Sequence, residues 1–327
     1  MSGVLARHRP IVLAYAGMVL LLVLTALYSP GFLSGSNLRS TLVLAAFVGI
    51  VALGQTFVII GAGIDLSIPW VLNAAAILMT LLCAGQSLQL LWVAPLLLAA
   101  AAGVGLVSGV GVALFGVPPI VMTLAANTIL QGLILVYTGG SPTPAAPEVI
   151  RILSVGRIGP VPVIGLIWLA LAIAASVLLS RTAFGRHLYA LGTSAEVAEY
   201  SGVPTARTTI LTYVISAVTA ALAGMLLTGY SGQAYLGMGD SYLFTSVAAV
   251  AIGGASILGG SGHYIGTVAG ALVLTILSGL LPALNLSSGA LLMVYGAVIL
   301  VTVSIGSVSI VEIRRRAHEA FARIRRT

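Results

Sequence analysis

Long apolar runs alternate with short polar or Gly/Pro-bearing breaks along this chain. Ten windows stand out: 11–28, 41–60, 67–84, 90–114, 118–138, 162–180, 209–229, 243–258, 263–284 and 288–306. Most approach the ~20 residues that an α-helix needs to cross bilayer hydrocarbon. Helix is the natural choice, because backbone polar groups in lipid must pair within the segment. The alternating strands of about ten residues that build a membrane β-barrel are absent. The eighth window is short, which predicts a broken or re-entrant element. The expected fold is therefore all-α and polytopic, with about ten transmembrane helices in one domain, 1–327.

Composition strengthens this reading. The 327 residues are 59% hydrophobic and 6% charged, against about 25% charged in soluble domains. So few charges could not clothe a soluble protein of this size. The net charge of +7 comes from arginine alone, since the chain has no lysine. Arg7 and Arg9 precede the first apolar run, and RRRAHEAFARIRR (314–326) follows the last. Arginines flanking spans signal orientation and lipid headgroup contact, so nucleic acid is not an expected partner.

An even number of spans places both ends on one side, and the positive-inside rule makes that side cytoplasmic. The N-terminus (1–10), the segment 181–208 with Arg181, Arg186 and Arg207, and the Arg-rich tail (307–327) then share the cytoplasm. The loop 139–161 faces outward and carries Arg151 and Arg157 against the rule, offset in part by Glu148. MSGVLARHRP and the run after it resemble a secretory signal. The run is too long for a signal core and no small-x-small cleavage site follows, so a retained first span is expected.

Chemistry-bearing residues are few. Cys83 sits alone in an apolar run and reads as a small buried hydrophobe. Four scattered histidines form no ligand cluster, so neither metal nor cofactor is expected. Glycine-rich GGASILGGSG (253–262) is not a phosphate cradle, which needs a lysine the chain lacks. Close helix packing suits it better, with Gly266 and Gly270 in small-xxx-small spacing.

GAGIDLSIPW (61–70) places Asp65 between two apolar runs. A carboxylate in the bilayer is costly unless it faces a cavity or a partner. Gly61, Gly63 and Pro69 disfavour a continuous helix there. Asp65 and Ser67 can cap the helix that begins near 67, and that reading outweighs direct substrate contact. Asp240 in GYSGQAYLGMGDSYLFTS (229–246) has a similar setting five spans later, as in an inverted repeat with broken helices. Gln55, Asn73, Asn127, Gln131 and Ser246 are the polar residues that could line a passage for an uncharged polyol, although each could instead bond between helices. No nucleophile triad or acid–base pair appears, so enzymatic activity is not expected.

The segment RTAFGRHLYALGTSAEVAEYSGVPTARTTI (181–210) is the longest polar-bearing stretch between spans. Thr193 or Ser194 can cap a two-turn helix over 194–201, with Glu196 and Glu199 near its positive end and Gly202 and Pro204 at its stop. It is either a plain connector or a docking knob, and a capped helix is more structure than a connector needs.

GRHLYALGTSAEVAEYSGV resembles the cytoplasmic coupling segment of ribose-type permeases of ATP-binding-cassette importers, within the branched-chain amino acid/ribose permease superfamily. Gly185, Tyr189, Ala190, Gly192, Ala198 and Gly202 match that pattern, while Ser194 replaces a common Asn and Glu199 an Ala. GQTFVIIGAGIDLSIPW (54–70), VPPIVMTLAANTILQGLILVYTGGSP (117–142) and AAVAIGGASILGGSGHYIGTVAGALVL (248–274) resemble three further motifs of the same family, in order. Ala62 stands where the family has Gly, and Pro69 and Trp70 where it has Gly and a small residue.

The resemblance implies a permease subunit in the bacterial inner membrane that imports a monosaccharide or similar small polar solute. It implies a second permease chain, a cytoplasmic ATP-binding subunit and a periplasmic solute-binding protein as partners, besides membrane lipid. ATP hydrolysis would reside on a separate chain. Gly192, Ser194, Glu196, Glu199, Tyr200 and Gly202 are then the expected coupling residues. The alternative is an ion-coupled secondary transporter, for which Asp65 and Asp240 are the only candidate carboxylates.

Overall fold

A computed structural model describes residues 2–140, 144–284, 287 and 289–301. The Arg-rich tail lies outside them. Among the described residues six helices are long and apolar enough to cross a membrane, and four shorter apolar helices accompany them, which gives ten. In chain order the first five are α1 (Ser2–Tyr28), α2 (Gly35–Ile60), α3 (Ile68–Cys83), α4 (Leu90–Ala113) and α5 (Pro119–Thr138). After the small α6 (Glu148–Val155) come α7 (Val163–Arg181) and two short helices, α8 (Ala183–Thr193) and α9 (Ala195–Tyr200). Then follow α10 (Thr205–Ser231), α11 (Tyr242–Ile252), α12 (Tyr264–Ala283) and α13 (Gly289–Val301). Strands β1 (Arg157–Ile158) and β2 (Val161–Pro162) form a minimal antiparallel hairpin between α6 and α7.

Two helices make the centre. α2 is buried nearly all round and α10 over most of its surface, whereas α1, α4, α5 and α7 leave most of theirs open. Leu13, Leu20, Leu91, Val107, Leu133, Val136 and Ile173 are exposed on those outer helices. A helix apolar on every face is stable only inside protein or in lipid. Among the described residues no protein covers those faces, which suits a membrane environment.

The packing is crossed. α10 lies against α3 and α4, while α2 lies against α11 and α12. Each central helix thus holds the broken pair that follows the other one. The order long helix, break, short helix, apolar helix occurs in α2–α3–α4 and again in α10–α11–α12, the two halves interlocked.

Connections sort to two ends of the bundle by parity, as successive spans require. At one end the 60–63 turn meets the α8–α9 joint and the 258–262 loop through Gly260 N–H to Ile60 O (2.9 Å). At the other end Ala146 N donates to Gly232 O (2.9 Å) and Val149 N to Ser87 Oγ (3.2 Å). α11, with 11 residues, rises only about 16 Å, roughly half of the hydrocarbon thickness. The expected span 243–258 is therefore a half-helix that stops at Ile252, and 253–262 is a loop rather than packed helix. Gly266 and Gly270 do mediate close packing: a Cβ on either would overlap the Gly253 or Ala249 carbonyl of the α11 side.

α2 ends in a Schellman turn, with Ala62 N–H bonded to Ile59 O and Gly63 N–H to Val58 O, both at 2.9 Å. Ala62 occupies the left-handed position at φ 63°, where an L-residue is strained by about 1–2 kcal/mol. Ala62→Gly should stabilise the detergent-purified protein by about 0.5–1 kcal/mol, after the entropy glycine adds to the unfolded chain. Ala62→Val should destabilise it, because a β-branched residue is an outlier at positive φ. Thermal melts that rank Val above Gly would contradict the turn.

Candidate functional site

The break 61–67 is held by atoms from outside its own helices. Asp65 is 1% exposed. Its Oδ1 accepts from Ser67 N (2.8 Å) and from Ser67 Oγ (2.6 Å). Thr123 Oγ1 on α5 accepts from Leu66 N (3.0 Å), and Asn127 Oδ1, one turn further, accepts from Trp70 N (3.3 Å). Pro69 has no N–H to satisfy, so the first turn of α3 is met by α5 rather than by a local cap. The expected capping by Ser67 needs correction: its side chain makes no cap bond and donates to Asp65 instead. Asp65 serves the residue before the helix, not the free amides of its first turn. From α10, Ser216 and Tyr213 border the carboxylate, and Gly63 leaves no room for a side chain beside the Tyr213 hydroxyl.

The second break is tied to the first through Asn73. That residue is wholly buried on α3, and its Oδ1 accepts from Gly239 N (3.1 Å) in the loop before α11. Asp240 is exposed beside this contact, and α11 has no side-chain cap at Ser241. The expected Asp240 cap is therefore not formed. Its own N–H closes a turn onto Gly237 O (3.0 Å).

The five polar residues expected along a passage lie on four helices, α2, α3, α5 and α11. Gln55 is fully buried on α2, its amide atoms without a hydrogen-bond partner among the described residues. Ser246 is buried on α11 and bonds back to Leu243 O (2.9 Å). Asn127 bridges α5 to α3. Gln131, on α5, is half-buried. None of the five borders the cavity of about 530 Å³ that opens between the 61–63 turn, residues 191–195, Glu199 and the start of α10. A smaller cavity of about 250 Å³ near the other end of α2 is rimmed by Thr25, Asn37, Thr41, Thr275 and Ser278. The hydroxyls of Thr25, Thr41, Thr275 and Ser278 carried no signal in the sequence, because each belongs to an apolar run.

At the same end as the first break, α8 and α9 form a hooked projection. Thr182 Oγ1 caps α8 by accepting from Gly185 N (3.3 Å), and Ser194 Oγ caps α9 by accepting from Val197 N (3.3 Å). Gly202 at φ 78° turns the chain away. Ala198 is the buried residue of α9, while Glu196, Val197, Glu199 and Tyr200 point outward. Val197 is 63% and Tyr200 85% exposed. Two large apolar side chains on one exposed turn are unusual for a simple connector and suit a protein partner. α8 was not expected. Its signal was present in the Thr182 cap and in Phe184, Leu188 and Leu191 at helical spacing.

Among the described residues no group of three or more His, Cys, Asp or Glu is placed to hold a metal. What the geometry offers is a lipid-facing bundle with two interlocked broken halves and a capped projection at one end. That is the class of membrane permeases. Residues 37–303 match the family of branched-chain amino acid transport system permease components, and the chain belongs to it. It is 34% identical to the ribose import permease protein of Bacillus subtilis over 92% of this chain and 93% of the relative. It is 32% identical to that of Escherichia coli K12, over 88% and 90%. The autoinducer 2 import system permease protein of Escherichia coli is 35% identical over 84% and 80%. No solved structure matches.

Removing the Asp65 acceptor strands both the Ser67 amide and its hydroxyl, at about 1–3 kcal/mol for each unpaired group. Asp65→Asn keeps the oxygen and should lower stability by no more than about 1 kcal/mol, whereas Asp65→Leu should cost at least about 2 kcal/mol. Equal melting temperatures for the two variants in detergent would refute the backbone role.

Proposed function

We propose that this chain is the membrane-spanning subunit of an ATP-driven importer that passes a monosaccharide or similar small polar solute into the cytoplasm. The observation that carries the reading is the α9 projection, a capped helix presenting Val197 and Tyr200 away from the bundle. A separate ATP-hydrolysing subunit would grip it, and a solute-binding protein would meet the opposite end. Relatives named as ribose and autoinducer 2 import permeases support a small polar cargo. The near absence of charge inside the bundle supports a neutral one. Ion-coupled transport is less favoured, since Asp65 is enclosed and engaged by Ser67.

Two permease chains are expected to pair through exposed apolar faces such as that of α5, with lipid covering the remainder. Both termini and α9 would face the cytoplasm of a bacterial inner membrane. The outward loop then holds Arg151 bonded to Glu148 (2.9 Å), which reduces its weight against that orientation. Neither nucleic acid nor catalysis by this chain enters the scheme.

Replacing Val197 and Tyr200 together with Asp should abolish co-purification of the ATP-hydrolysing subunit, while the permease still elutes as a folded species from size exclusion. Undiminished association would remove the basis for docking at α9. Glu196→Cys should react with a membrane-impermeant maleimide only in inside-out vesicles, and labelling on intact cells would reverse the orientation.

A further inference from the structure

The glycine-rich loop between α11 and α12 grips both the docking projection and the end of α2. Gly260 N donates to Ile60 O (2.9 Å), the last carbonyl of α2, which no helical amide reaches. Tyr189 Oη on α8 donates to Gly262 O (2.7 Å). At Gly192, where α8 bends into α9, a Cβ would overlap both Ile60 O and Gly260 N. A Cβ on Gly259 would meet Ala62 and Gly192 O, and Gly260 lies against Thr193. Gly259 and Gly260 take φ of 92° and 73°, so glycine is required there by backbone shape as well as space. Ser256 N to Ser261 O (3.0 Å) and Gly259 N to Ser256 O (3.0 Å) close the loop on itself. Three segments distant in sequence meet here, with backbone in direct contact at Ile60, Gly192 and Gly260 and the Tyr189 hydroxyl bonded alongside.

We propose that loop 256–262 is the transmission joint of the permease. Displacement of α9 reaches the end of α2, and so the Asp65 break, through Gly192, Gly260 and Tyr189, and reaches α11 and α12 through the same loop. These are positioning residues: they touch neither solute nor nucleotide. Both interlocked halves are thereby driven from one point. Close-packed contacts pass displacement on because interiors have low compressibility.

The inference rests on docking at α9, and the test separates the two. The full importer complex is purified with Tyr189→Phe or Gly260→Ala permease and reconstituted in liposomes, and solute uptake is measured against ATP hydrolysed. Expected is wild-type retention of the ATP-hydrolysing subunit, hydrolysis within about twofold of wild type, and uptake per ATP reduced about threefold for Tyr189→Phe and at least tenfold for Gly260→Ala. Unchanged uptake per ATP in Tyr189→Phe, which removes one hydroxyl and leaves the fold intact, would overturn the joint even if Gly260→Ala fails to accumulate. Failure of the wild-type chain to retain any ATP-hydrolysing subunit would instead sink the docking reading.

Discussion

Lipid offers no hydrogen bonds, so a helix that stops inside or at the edge of the bilayer must find partners for its free carbonyls and amides within protein. Much of this architecture follows from meeting that demand at the end of α2 and the start of α3. The Ile60 carbonyl is met by Gly260, the Leu66 and Trp70 amides by Thr123 and Asn127, and the Ser67 amide by Asp65. Loop 256–262 and α5 converge on this one interrupted backbone. The carboxylate that looks out of place in an apolar chain is a local acceptor in this set.

The crossed arrangement of α2 and α10 turns such breaks from a liability into a device. Each central helix is clasped by the short helix that follows the other one. Asn73 accepting from Gly239 joins the two interruptions directly. The outer helices are packed on one side and apolar and exposed on the other.

The α8–α9 hook and the 256–262 loop show how small residues set the closeness of backbone contact. Glycine at 192, 259 and 260 brings backbones into contact where any Cβ would hold them apart. A flexible residue type thereby permits a close-packed joint. The same composition in a solvent-exposed linker would do the reverse, and what decides is the surrounding contact.

Periodicity and composition alone determined the helical class, the apolar surroundings and the approximate limits of most of the apolar helices, because length and apolarity are local properties set by bilayer thickness. The cap at Ser194 and the stop at Gly202 were equally legible, being rules that act within a few residues. The identity of the partners at the break was not. Thr123 and Asn127 lie 57 residues from the amides they satisfy, and no local pattern links them. Nor could the glycine run 253–262 announce itself as a loop rather than a packed helix, since small residues serve both and only the approach of Ile60 and Thr193 selects one. Half-length α11 and the crossed pairing were decided by tertiary structure for the same reason: backbone satisfaction in lipid is a property of neighbours, and neighbours are fixed only when the bundle closes.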